Sequence, residues 1–91
     1  MKIAISKRRA KRLAAGTVSF VDKLNVWYLT LYSFTNGTAV PFGIMPHASQ
    51  EEAIADGNDS LKVEDGDWVE IAESEIPEFI ATKTRNRWDV K

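Results

Sequence analysis

Apolar and polar positions alternate with a period of two along VWYLTLYSF, residues 26–34. Trp27, Leu29 and Leu31 fall on one face, and Val26, Tyr28, Thr30, Tyr32 and Phe34 on the other. That period predicts a β-strand with at least one covered face. Just before it, TVSFV at 17–21 is β-branched and aromatic, and a turn near Asp22–Asn25 joins the two. After it, Asn36-Gly37 is the strongest hairpin signal in the chain, because both turn positions need a positive φ. The return strand TAVPFGIM is expected to place Val40, Phe42 and Ile44 together. Pro41 lacks a ladder N–H, so this strand belongs at an edge or carries a bulge.

The apolar spacing differs on either side of this β-rich middle, 17–45. Residues 6–15 are expected to form a short helix, with Ser6 as N-cap, Gly16 as its stop and Ala10, Leu13 and Ala14 on one side. Its cations would repel one another at i,i+4 spacing and would sit at the unfavourable end of the helix dipole. Residues 49–55 read as a second helix behind the capping pattern Ser49-Gln50-Glu51-Glu52, ended by DGNDS at 56–60. Residues 61–63 and 67–72 read as a hairpin around Asp65-Gly66. Ser74 would cap a last helix carrying Pro77 in its first turn and Ile76, Phe79 and Ile80 on its apolar side. NRWDV would be a final strand or a docked tail. The fold class expected is α+β: a small antiparallel sheet of four or five strands with two or three short helices, in a single domain over 1–91.

Composition agrees with one small folded unit. The chain has 91 residues, 44% of them hydrophobic, with three Trp and no Cys. Disulfides and thiolate metal sites are excluded, and a reducing, cytoplasmic setting is expected. No apolar run approaches the roughly 20 residues of a membrane span, so no membrane role is expected.

Charge changes the picture more. The formal net charge is −1, yet the signs are segregated. Residues 1–12 hold six Lys/Arg and no acid; residues 51–78 hold eleven Asp/Glu and one Lys; the tail 83–91 turns basic again. The acidic region 49–80 could present Glu51, Glu52, Asp56, Asp59, Glu64, Asp65, Asp67 and Glu70 as a face that imitates a phosphate backbone. The alternative surface is basic. Lys7, Arg8, Arg9, Lys11 and Arg12, helped by Arg85 and Arg87 of the tail, could neutralise nucleic-acid phosphates. Tyr28 and Tyr32 could then stack bases. Each surface also has an ordinary reading, since solvated charge and a covered aromatic face are the usual fates of such residues.

Catalytic chemistry is sparse. There is one histidine, His47, in an expected loop, and no cysteine or glycine-rich phosphate loop. DGNDSLKVEDGD at 56–67 has acids at some spacings of a calcium loop, but Leu61 stands where glycine is needed and Asp67 where glutamate is needed. No metal or cofactor is expected. The reading is a small non-enzymatic protein that modulates or inhibits a larger, nucleic-acid-handling protein through charged surfaces. A nucleic-acid-binding module is the alternative, and a self-associating structural subunit a third possibility.

Overall fold

The Asn36-Gly37 turn forms as its residue types require, with φ of 53° and 78°. It joins two long strands of a computed structural model that describes residues 1–8 and 13–88, with side chains as far as Thr84. Five strands make one antiparallel sheet: β1 (Lys2–Ile5), β2 (Ala15–Val21), β3 (Val26–Thr35), β4 (Thr38–His47) and β5 (Val69–Glu70). Their order is β4-β3-β2-β1-β5. Two helices, α1 (Gln50–Leu61) and α2 (Ile76–Trp88), complete an α+β fold.

The alternation in β3 decides what each face buries. Leu29 pairs with Val18, and together with Ala4, Leu13, Ala53, Leu61, Val63 and Trp68 they form the core under α1. Thr17 pairs with Ile3 on the other face, where Ile3, Ala15, Ile76 and Ile80 form a second core under α2, with Tyr32, Phe34 and Phe79 packed against it. The sheet is therefore covered by a different helix on each side.

Helix α1 starts where the capping pattern places it, with Ser49 Oγ accepting from the Glu52 N–H at 3.1 Å. It does not stop at residues 56–60. Asp56–Ser60 lie inside the helix, which ends at Lys62 in the left-handed conformation (φ 59°). The buried positions Ala53, Gly57 and Leu61 repeat every four residues, and that face carries the helix past the expected stop. The expected hairpin around Asp65-Gly66 is likewise absent. Asp65–Asp67 form a single 3-10 turn, and the two-residue β5 pairs with β1 instead, Ile3 opposite Val69. Ser74 does not cap the last helix. It lies in a 3-10 turn, Glu73–Glu75, where the Glu75 carboxylate accepts from the Ala72 N–H. Pro77 does fall in the first turn of α2, and Ile76 and Ile80 are buried as expected. NRWDV, expected as a final strand or a docked tail, is helical as far as Trp88, and its last two residues lie outside the described residues.

The helix expected over 6–15 is not formed at its described ends. Ala15 already belongs to β2, and the Ser6 N–H donates to the Ala14 carbonyl at 2.9 Å, closing a β1–β2 hairpin. Arg9–Arg12, its centre, lie outside the described residues. The strand β1 was hidden in the sequence because KIAI is only four residues long and merges into the basic block.

Strand β4 is the long edge. A bulge shifts its register between Leu31 and Tyr32, so Leu31 faces Gly43 whereas Tyr32 faces Pro41. Val40 then lies opposite Ser33 and Ile44 opposite Thr30, on opposite faces of the sheet. The expectation that Val40, Phe42 and Ile44 share a face is overturned by that extra residue. The expectation for Pro41 holds. Counting hydrogen-bonded pairs from Thr35–Thr38 at the turn, Pro41 and Pro46 both occupy positions whose missing N–H would point away from β3.

Candidate functional site

The acidic candidates divide into two groups. Asp56, Asp65, Asp67 and Glu70 are bonded within the chain. Asp56 Oδ2 lies 3.0 Å from His47 Nε2, which ties β4 to α1. Asp65 Oδ1 accepts from Asn58 Nδ2 at 2.7 Å, and Asn58 Oδ1 in turn accepts from the indole N–H of Trp68 at 2.8 Å. Asp67 accepts from the Glu64 N–H at 2.8 Å and pairs with Lys7 at 2.9 Å. Glu70 stands 3.6 Å from the amino group of Met1. The second group, Glu51, Glu52 and Asp59, is exposed on the outer side of α1, with Glu64 exposed just beyond its end.

These outer acids follow from helix geometry. With Ala53, Gly57 and Leu61 turned to the sheet, positions 51, 52, 55 and 59 must face solvent. Glu51 and Asp59 are eight residues apart, about 12 Å along the helix axis, so the carboxylates form a ridge rather than one cluster. Glu51 and Glu52 also sit in the first turn, where the helix dipole favours negative charge.

The basic candidates meet the acidic region directly. The Lys7 N–H donates to the Leu61 carbonyl at 2.9 Å, and Arg8 Nη1 donates to the Ser60 carbonyl at 3.3 Å. Both cations thus lie at the C-terminal end of α1, the favourable end of its dipole. The repulsion expected of a basic helix does not arise for these two residues, because they belong to a strand connection seated on another helix. The Asp67 carboxyl is held below the usual aspartate range, first by the Glu64 N–H and then by Lys7. The Lys7 amine is held above the usual lysine range by its bond to Asp67, aided by the charge of that residue. Arg9, Lys11 and Arg12 lie outside the described residues. Arg85 and Arg87 fall on α2, where the side chains are not described.

The aromatic face expected to stack bases is largely core. Tyr32 and Phe34 pack against the cluster under α2. Tyr28 is half-buried, opposite Ser19 and Pro46, and four residues along β3 from Tyr32, where the basic connection rejoins the sheet. That is about 13 Å at strand rise, so Tyr28 stands apart from the described C-terminal end of the basic connection.

His47 is at the end of β4 rather than in a loop. Among the described residues no three His, Asp or Glu side chains gather as a metal-binding group, and no helix is long and apolar enough to cross a membrane. No family model, no curated protein and no solved structure matches the chain.

Sequence reasoning missed Asn58 and Gly57 as organisers of this end of α1. The signal available was a glycine and an amide within a run otherwise taken as a turn.

Proposed function

We propose that the protein is a small non-enzymatic binding protein that docks on a basic surface of a larger protein, of the kind that handles nucleic acid, and modulates it. The observation that carries this reading is the ridge on α1. Glu51, Glu52 and Asp59 face solvent from a rigid helix whose inner side is locked on the sheet by Ala53, Gly57 and Leu61. Carboxylates presented from one side of a docked helix attract a basic groove at long range and suit it at contact. His47 and Ser49 each have a structural task, the first in tying β4 to α1 and the second in capping α1. The imidazole is bonded to Asp56, and the Ser49 hydroxyl oxygen accepts the capping bond of α1.

The basic connection supports the alternative less well. Two of its cations, Lys7 and Arg8, are bonded to Asp67 and to the Ser60 carbonyl.

Capture from extract, compared between the wild-type chain and the triple variant Glu51→Lys, Glu52→Lys, Asp59→Lys, tests the reading. A protein retained by the wild type, lost with the variant and displaced by duplex DNA is the expected result. The reading fails if both chains retain the same proteins. It also fails if the purified protein itself binds labelled DNA or RNA with steep salt dependence that disappears on neutralising Arg8, Arg9 and Arg12.

A further inference from the structure

A cleft lies on the α2 side of the molecule, between the segment leaving β5 and the first turns of α2. Ile71 and Phe79 line its apolar part, and Glu70, Glu75 and Glu78 stand around it. The Lys83 ammonium lies 5.7 Å from the centroid of the Phe79 ring. We propose that this cleft receives a cationic, amphipathic segment of a partner protein, laying an Arg or Lys side chain along Phe79 with its head group among the three glutamates.

The charge balance at the cleft calls for a cation. Among the described residues three carboxylates surround it, against the Lys83 ammonium and the Met1 amino group beside Glu70. Glu70 also faces the Met1 amino group, at 3.6 Å, with its own side chain 75% exposed, so its carboxylate stays open to a partner.

The aromatic ring calls for the same ligand. The Phe79 face already holds an ammonium, which shows that its geometry suits a cation–π contact. An incoming guanidinium is planar and less strongly hydrated than an ammonium, so it can take the place of Lys83 on the ring.

The apolar floor distinguishes a side chain from a bare ion. A Lys or Arg buries its methylene stem on apolar surface while its head group stays at a polar rim. Ile71 and Phe79 offer that surface, and a neighbouring Leu or Val of the same segment could share it. A metal ion would need converging carboxylates, and the three glutamates do not form such a group.

The inference rests on reading the protein as one that binds basic partners, but it uses residues that the α1 ridge does not. The test is an NMR titration of the isotopically labelled full chain with the peptide acetyl-Leu-Arg-Lys-Leu-amide. Saturable shifts at the amides of Ile71, Phe79, Thr82 and Lys83 are expected. Glu75→Gln with Glu78→Gln should weaken the peptide about tenfold, since each rim charge and the ring contribute modestly. Gln at 75 keeps an oxygen for the Ala72 N–H, and Glu78→Gln alone provides a milder check of the same direction. Phe79→Leu keeps an apolar floor and should weaken binding several-fold by removing the ring. The inference is overturned if no saturable shifts occur, if they map to Glu51, Glu52 and Asp59, or if the glutamine variants bind equally well. Because the ridge variant leaves the cleft intact, it should bind the peptide as the wild type does, so the two proposals fail separately.

Discussion

Gly57 of α1 faces Trp68 so closely that a Cβ on the glycine would stand 2.7 Å from both Cζ2 and Cη2 of the indole. Leu29 Cδ1 would be 3.1 Å away on another side. The ring cannot swing aside cheaply, because it is buried and its N–H is bonded to Asn58. Gly57 therefore sets how near α1 comes to the rest of the core.

Gly57→Ala should destabilise the protein by about 1–3 kcal/mol, the usual cost of overpacking. On an exposed helix the same change would stabilise by about 1 kcal/mol, so the sign itself is diagnostic. Urea unfolding followed by tryptophan fluorescence measures it. A gain in stability would show that the contact is not close.

Asn58 serves two bonds at once, to the Trp68 N–H and to Asp65. Asn58→Ala leaves the part-buried indole N–H without its acceptor and should cost about 1 kcal/mol or more. Asp65→Asn keeps an oxygen facing Asn58 and should cost much less. Equal losses in the two variants, read from urea midpoints, would contradict this division of roles.

The Lys7–Asp67 pair predicts a pH signature. Asp67 has its folded-state pKa lowered, so its contribution is present above the ordinary aspartate range and is lost as pH falls through the folded value. Lys7 has its pKa raised, so its contribution is present below the ordinary lysine range and is lost as pH rises past the folded value. Asp67→Asn should thus be less stable than the wild type at neutral pH, with the gap closing in strong acid. Thermal melts across the acid range check it. A gap that persists in strong acid would mean that the carboxylate charge is not its source.

Pro41 and Pro46 remove two outward N–H positions from the edge of β4, a strand of ten residues without an Asp, Glu, Lys or Arg. Edge strands lacking charge are templates for pairing with another chain, and proline is one of the ways proteins block them. Pro41→Val with Pro46→Val should make the protein self-associate in sedimentation velocity as concentration rises, while the wild type does so less. Unchanged sedimentation would remove the prolines from that role.

The sheet was legible in the sequence wherever a local signal was strong. The alternation of residues 26–34, the Asn36-Gly37 turn and the Ser49 cap each depend on a few neighbouring residues, and each is present in the structure. What escaped depends on partners far along the chain. KIAI becomes a strand because β2 and β5 flank it. The DGNDS stretch stays helical because Gly57 and Leu61 find Trp68 and Gly16 opposite them. The acidic site was half legible. Composition marked the charged residues, but only tertiary structure shows that Asp56, Asp65, Asp67 and Glu70 are bonded internally. The cleft beside Phe79 needed α2 and β5 to be placed before Glu75 and Glu78 could be grouped with Glu70.

The pairing of Ile3 with Val69 brings together two strands from nearly opposite ends of the chain. Strands β2, β3 and β4 meet through short turns and can zip in sequence, whereas pairing β5 with β1 requires the long stretch of chain between Ile3 and Val69 to close. Closing such a loop is an entropic cost met before its contacts give anything back. The sheet should therefore be completed late in folding. With only two residues paired along that seam, it should also be the first to open, so the Ile71 amide, bonded to the Met1 carbonyl, should exchange its hydrogen sooner than the amides between β2 and β3.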